Sequence, residues 1–586
     1  MAKQVTAKAP SAKEAMTPAR FEKELADLKN KAVAHSPLAA ILSSITPYAK
    51  AVFLLFMMGV SSAVSQLALS PTFGGIPSGI HHSKVTAAAC FIGSAGSSLL
   101  SHSFKTDLAP LLPVIAIWIP ALQFYLGGLS SALTATWGPL VVEAATLAPL
   151  LVVSAAQVAA LLEGRSVRWL PRWLGDSLPG LLAFFFYNAV EAYAAAHIPR
   201  LLGSSMVSSR VGLQMLLASS YVLFAPSKLL LLALPALVHT AMFNTHLPSA
   251  AATAMLQAAL EKDKWVLVDR KESLTGYISV LESIEQGFRI MRCDHSLLGG
   301  EWSKYRQGLV AEPVYSVFVM LEAVRLVITK KPILDSSAKA LVIGLGIGTT
   351  PGAFITHGID TTIVEIDPVV HEFAEKYFDL PTNHTSVIED AVSYTAGLAK
   401  TAPESFDYIV HDVFTGGAEP VPLFTLEFLQ GLYDLLKPDG VIAIHPRSHP
   451  QNYAGDFFLP PSKAVVKTIR TIFPSCRIFR EMERMTEDQV KQQNQDFSNM
   501  VIFCRKTAEP LTFRAAVAAD FLGTGTRKMT LQPRFEVLDS DFKAVGETKI
   551  VMNNDTSQLA EYRDSSAVGH WTIMREVVPP TVWNQW

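Results

Sequence analysis

Long apolar runs fill residues 37–245 of this 586-residue chain, and short alternating or blocky runs fill most of the remainder. Crossing the hydrocarbon of a bilayer takes roughly 20 mostly apolar residues. Runs of that kind lie at about 48–70, 85–103, 108–128, 134–162 and 177–197. The stretch 206–245 reads as a short hairpin broken at Pro226-Ser227-Lys228. Six or seven spans are predicted, the parity being left open by that hairpin.

Beyond a connecting helix near 249–262, Trp265-Val266-Leu267-Val268, Gly276-Tyr277-Ile278-Ser279-Val280 and Phe288-Arg289-Ile290-Met291 read as strands of a hairpin-rich lid. A helical repeat covers 312–327. Next come β-rich segments alternating with helical ones, which is the signature of a parallel doubly wound sheet. Its strands are Ala340-Leu341-Val342-Ile343, Thr361-Thr362-Ile363-Val364, Thr385-Ser386-Val387-Ile388, Tyr408-Ile409-Val410-His411 and, after a helix over 425–436, Val441-Ile442-Ala443-Ile444-His445. The expected fold is an all-α transmembrane bundle followed by an α/β Rossmann-like domain with a small β-hairpin domain before it. The boundaries are a polar tail at 1–36, the bundle at 37–245, the linker helix and hairpins at 246–335, the Rossmann-like domain at 336–510 and an extension at 511–586.

Charge sharpens this division. Residues 37–245 hold only fourteen Asp, Glu, Lys and Arg in 209 positions, while the rest of the chain has an ordinary soluble content. Glu143, Glu191 and His239 fall inside apolar segments, where an ionisable group needs a partner or a function. A net charge of −2, with no basic stripe, excludes a nucleic-acid partner. The four cysteines are scattered (Cys90, Cys293, Cys476, Cys504), which argues against a disulfide framework and structural zinc, and implies a reduced setting. The Arg165, Arg168 and Arg172 loop and the basic tail lie an even number of spans apart, so the positive-inside rule puts both in the cytosol.

The candidate chemistry sits at strand ends, where open α/β sheets bind ligands. Gly344, Gly346 and Gly348 form a GxGxG turn after the first strand, and Glu365 follows 21 positions after Gly344. That spacing suits a carboxylate accepting both hydroxyls of a ribose. With Thr349 the dinucleotide pattern GxGxxG is not met, which favours a single adenosine over a dinucleotide. Asp390 ends the third strand, placed either to accept from an adenine amine or to cap a helix. Asp412 ends the fourth, beside the glycine loop, where it can hold a cationic donor or act as a general base. His411 points to the opposite face and is expected to be structural.

These residues carry a resemblance. Val364-Glu365-Ile366-Asp367, Glu389-Asp390-Ala391 and Phe406-Asp407-Tyr408-Ile409-Val410-His411-Asp412 resemble, in order, the ribose, adenine and catalytic-aspartate motifs of the spermidine/spermine synthase superfamily. The resemblance spans about 265–505. It implies a Rossmann-like methyltransferase fold with Gly344, Gly346, Gly348, Glu365, Asp390 and Ala391 at the cofactor and Asp412 at the reaction centre. The departures matter too. Ile347 stands where aminopropyltransferases have an Asp that helps hold the donor's amine, and no second acid follows Asp412. Against methyl transfer, Val342 stands at the usual methyltransferase acid.

The sequence therefore predicts a membrane-bound transferase using S-adenosylmethionine for methyl transfer. The alternative is an aminopropyltransferase using the decarboxylated donor. A third is a non-catalytic transporter or sensor with a nucleoside-binding domain. An even total of spans is favoured, because an S-adenosyl cofactor is made and kept in the cytosol, and it places the catalytic half in the cytosol too. The expected partners are the lipid bilayer, an amine or amphiphile acceptor and a second copy of the chain, and no metal is expected.

Overall fold

The structure, a computed structural model, describes residues 37–97, 108–165, 170–305, 308–413, 416–417, 420–445, 460–486, 488–489, 499–538, 540 and 548–586. The basic tail and Arg168 lie outside the described residues. The first half is a helical bundle: α1 (Pro37–Phe73), α2 (His82–Ala95), α3 (Leu112–Gly127), α4 (Ser130–Ala145), α5 (Leu147–Leu162), α6 (Arg172–His197), α7 (Arg210–Phe224) and α8 (Leu234–Met242). Ser43–Phe73, Ala109–Gly127 and Trp173–Leu201 are long and apolar enough to cross a membrane. The α4–α5 pair, bent by 42°, makes a fourth candidate. What read as one run at 134–162 is thus broken at Thr146, and of the run at 85–103 the part to Ala95 belongs to α2, while residues 98–103 lie outside the described residues.

The helix directions follow from which ends touch. At one end of the bundle the Arg165 guanidinium lies over the Tyr48 ring near the start of α1, at 4.9 Å, and Phe224 at the end of α7 stacks on Phe53. At the other end, Thr72 of α1, Ser130 at the start of α4, and Arg210 at the start of α7 all bond to the second half of the chain. Gly203, just beyond α6, lies close against the Glu272 backbone there. Among the described residues α1, the α4–α5 pair, α6 and α7 therefore run in alternating directions between these two ends. The hairpin predicted at 206–245 is the α7–α8 pair. After α8 the chain leaves the bundle at the end away from Arg165, where Arg270 donates to Thr245 O and Leu247 O.

Glu143 and Glu191 meet on one histidine that the sequence pattern did not single out. His82 Nδ1 lies 2.6 Å from Glu143 Oε1, and its Nε2 lies 3.0 Å from Glu191 Oε1. Ser62 donates to Glu191 at 2.5 Å. His239 joins no such cluster among the described residues; its ring packs against Phe124 and Tyr125.

A connecting helix α9 (Ala250–Glu261) leads to an antiparallel sheet in the order β1–β5: Trp265–Glu272, Tyr277–Ser283, Phe288–Cys293, Ser296–Trp302 and Glu312–Pro313. The fourth strand carries Gly299-Gly300 and was not expected. The helical repeat at 312–327 condenses to α10 (Ser316–Leu321) and a 3₁₀ turn. Then the Rossmann-like layer winds as β6 (Lys339–Ile343), α11 (Thr349–Thr356), β7 (Asp360–Glu365), α12 (Pro368–Tyr377), β8 (Thr385–Ile388), α13 (Ala391–Thr401), β9 (Phe406–His411), α14 (Leu426–Leu435), β10 (Leu436–Ile444), α15 (Pro460–Ile472), β11 (Ser475–Arg480), β12 (Met500–Arg505) and β13 (Phe535–Val537). Its eight strands lie in the order β13-β11-β12-β10-β9-β6-β7-β8, parallel from β10 to β8. Apolar residues of both layers fuse around Ile278, Val280, Leu345, Ile347 and Phe373, so the small sheet lies against the glycine loop.

One cysteine expectation fails. Cys476 and Cys504 are register partners on β11 and β12, and they form a disulfide. They lie 28 residues apart with no motif around them, and only the antiparallel pairing brings them together.

The chain closes with α16 (Ser557–Val577) and α17 (Pro580–Asn584), which wedge between bundle and sheets. Trp571 donates to Thr72 O and Trp586 to Thr72 Oγ1, both at 3.1 Å. At their centre Arg292 of β3 is 1 % exposed. Its guanidinium donates to the carbonyls of Pro71, Val582, Trp583, Gln585 and Asp294 at 2.6–2.9 Å. Burial pulls its pKa down to about 10, so it keeps its charge at neutral pH. Replacing it strands several buried acceptors. Arg292→Met should lower stability by about 3–5 kcal/mol, read as a drop in the melting temperature of the detergent-solubilised protein. Arg292→Lys should recover less than half of it, because an ammonium cannot span the same fork of acceptors.

Candidate active site

The C-terminal ends of β6, β7, β8 and β9 converge through the parallel register. Gly344 N donates to Val364 O at 2.9 Å, Glu389 N to Glu365 O at 3.1 Å, and Asp412 N to Ile343 O at 2.9 Å. Gly344 has φ +85°, and a Cβ there would sit 1.9 Å from Asp412 O, so only glycine lets β9 end this close. Gly346 and Gly348 also have positive φ, and Gly348 opens α11.

Glu365 is buried at the base of this loop. Leu345 N donates to Oε2 at 3.0 Å and Asp367 N to Oε1 at 2.9 Å. Each oxygen keeps a second lone pair, the capacity that a ribose diol requires. Asp367, two residues on, has no such capacity. Its Oδ1 accepts from Val369 N and Ser273 Oγ, and its Oδ2 from Thr275 N and Oγ1, which ties the β1–β2 turn to the site. Asp390 N-caps α13 through Val392 N at 3.1 Å, and its side chain is exposed. Ala391 is buried behind it. Ile347 is turned into the core against Gly299 and presents no polar group.

Asp412 has a partner that the sequence pattern left unassigned. In the β9–β10 register Ile444 pairs with His411, so His445 falls beside Asp412. His445 Nδ1 lies 2.9 Å from Asp412 Oδ1. A carboxylate only accepts, so Nδ1 carries the proton and Nε2 is left with a lone pair. That Nε2 is buried and has no hydrogen bond among the described residues. The ring is 1 % exposed and meets Phe318 edge-on, while Asp412 is partly open to the cleft. The signal was available as a histidine ending the strand next to the one that Asp412 ends. His411 faces the other way, packed on Phe424 and Phe428, and burial pulls its pKa down to about 4.

The spermine/spermidine synthase domain model matches residues 323–479. A polyamine aminopropyltransferase from Vibrio vulnificus is 34 % identical over 146 residues, which cover 24 % of this chain and 46 % of that one. A probable spermidine synthase structure from Corynebacterium glutamicum is 16 % identical, with a TM-score of 0.34, covering 47 % of this chain and 97 % of its own. The N-terminal histidine N-methyltransferase of Emericella nidulans is 44 % identical over 550 residues, 91 % of this chain and 96 % of that protein. This chain belongs to that relative's family, within the spermine/spermidine synthase superfamily. It is an enzyme, an alkyl transferase whose cofactor is S-adenosylmethionine. The non-catalytic reading is thereby set aside. The site fits that cofactor: the glycine loop leaves room where a Cβ would intrude, and Glu365 keeps acceptor capacity.

The pH dependence of nucleoside affinity has a defined sign. Burial pushes the Glu365 carboxyl up to about 7, against the pull of its backbone N–H donors. Ribose hydroxyls donate best to the ionised form, so binding releases a proton and affinity rises with pH. Methylthioadenosine, which has no group titrating nearby, should bind up to about tenfold more tightly at pH 8 than at pH 6. Calorimetry should find weaker and pH-flat binding in Glu365→Gln; a slope that survived there would belong to another group.

Proposed function

We propose that this enzyme methylates the N-terminal histidine of a protein acceptor, and that a membrane-embedded bundle holds its catalytic half on the side away from the cytosol. The acceptor assignment is carried by the identity of 44 % across 96 % of N-terminal histidine N-methyltransferase, a match long enough to take in most of the helical half.

In this reading Glu365 holds the ribose hydroxyls and the open oxygen of Asp390 takes the adenine amine. S-adenosylmethionine supplies an electrophilic methyl group on a sulfonium. An imidazole that gains a methyl group is a cation until it loses a ring proton. Asp412 faces that developing charge and receives the proton, which it passes on to solvent, and the Nδ1–H of His445 at its back holds the carboxylate in place. A single carboxylate suits a histidine better than a polyamine, each of whose ammonium groups needs its own partner. Ile347, buried against Gly299, supplies none for an aminopropyl amine.

Asp412→Asn should lower kcat about 10²–10⁴-fold on a peptide beginning with histidine, and change methylthioadenosine affinity little. His445→Gln should also lower kcat, by less than Asp412→Asn, because it removes the group that orients the carboxylate. Putrescine converted to a longer amine with the decarboxylated donor would instead promote the aminopropyltransferase reading.

The membrane assignment rests on the bundle's surface. Phe91, Trp173, Phe185, Leu223 and Leu231 are each at least 66 % exposed, an apolar exterior suited to lipid and costly in water. With the Arg165 loop cytosolic by the positive-inside rule, the catalytic half, which contacts the bundle at the end away from Arg165, lies on the opposite side. The Cys476–Cys504 disulfide supports that oxidising side. The methyl donor then has to be supplied outside the cytosol. Sealed microsomes should shield the catalytic half from protease while an epitope on the 1–36 tail is cut. Joint digestion would restore the even-span arrangement.

A further inference from the structure

On the face of the Rossmann-like layer beside the edge strand β8, two histidines and a glutamate converge outside the active site. His371 and Glu375 sit four residues apart on α12, so they share one face of the helix. His384 comes from the loop that leads into β8. The ligand atoms of the three lie within 4.8 Å of one another. His371 Nε2 and His384 Nε2 are 3.1 Å apart, and Glu375 Oε1 is 4.0 Å from His384 Nε2. The imidazoles are largely buried, with side chains 12 % and 2 % exposed, while Glu375 stays open to solvent at 35 %.

The tautomers decide what this arrangement can do. His384 Nδ1 lies 2.7 Å from Pro381 O, and a carbonyl only accepts, so the ring proton is on Nδ1. His384 Nε2 is therefore a lone pair aimed at His371 Nε2. Two such nitrogens share either one proton or one metal ion. In tetrahedral zinc sites, with Zn–N of about 2.0–2.1 Å, neighbouring ligand atoms stand about 3.3–3.4 Å apart. The observed 3.1 Å is within a few tenths of that. A rotation of the exposed Glu375 side chain closes the remaining gap. The Nδ1–H to carbonyl bond on His384 is the kind of outer support that orients metal-ligating imidazoles.

We propose that His371, Glu375 and His384 form a site for one divalent transition-metal ion of the zinc class. Its fourth position faces water. The ion pins the 378–384 loop to α12. That loop backs the cofactor turn, since Leu380 Cδ1 lies 2.9 Å from where a Cβ on Gly348 would be. The site is thus a brace behind the glycine loop, and the ion takes no part in methyl transfer.

The test uses the full-length, detergent-solubilised protein stripped of metal with a chelator. Zinc affinity is measured by competition with a chromophoric indicator, and cobalt(II) gives a visible spectrum that reports imidazole ligation. The wild type should bind one more zinc than the His371→Ala/His384→Ala double variant, with tetrahedral-type cobalt absorption that the variant lacks. Glu375→Gln should weaken zinc at least tenfold. A far-UV circular dichroism spectrum and a gel-filtration profile matching the wild type show that each variant is folded. Equal zinc uptake by the wild type and the folded double variant would overturn the site. Should the double variant not fold, an unchanged zinc affinity in Glu375→Gln would do so.

Discussion

One buried guanidinium holds the parts of this molecule in register. Arg292 leaves β3 of the small sheet and donates to a carbonyl at the end of α1 and to three carbonyls around α17. Each of those carbonyls lies at an element end, where backbone acceptors lack partners of their own. A charged donor satisfies them together at a place too dry for water. The rings of Trp583 and Tyr277 cover the cation on its faces. Because β3 sits between β2 and β4, and that sheet packs on the glycine loop, the clamp also fixes the angle between the helical bundle and the active site.

The site itself depends on strand register. In a parallel layer, neighbouring strands end at nearly the same height, so residues far apart in sequence become neighbours wherever the strands stop together. Gly344, Glu365, Glu389 and Asp412 meet in that way through backbone bonds between successive strand ends. The same rule brings His445 to Asp412 and turns a lone acid into a pair. Asp367 shows the converse. It lies two residues from Glu365 in the same motif, yet its side chain is tied to the β1–β2 turn and the start of α12, and it serves as a structural tie.

The bundle repeats this logic in an apolar setting. Glu143 and Glu191 stand on different helices, and His82 bonds one with each ring nitrogen, so three costly groups compensate one another. The identity of 44 % to a histidine methyltransferase runs over 96 % of that protein, so the likeness takes in the bundle as well as the catalytic half. The docking of α16 and α17 between the two halves gives a physical reason that they travel together.

What the sequence determined by itself was everything carried by local pattern. Apolar runs marked the helices of the bundle, β-branched runs ending in Gly or an acid marked β6 through β9, and the 21-residue spacing from Gly344 to Glu365 marked the nucleoside end of the sheet. These rest on periods and spacings that the chain shows without folding. The tertiary structure alone decided what depends on pairing at a distance. Cys476 meets Cys504 only through antiparallel register, and His82 meets two glutamates only once three helices pack. The end of the bundle from which the catalytic half emerges was fixed by where helix ends touch, since hydropathy counts apolar runs but does not say which ends meet. Arg292 lies just past the predicted strand at 288–291 and became the clamp because five carbonyls from three segments converge on it.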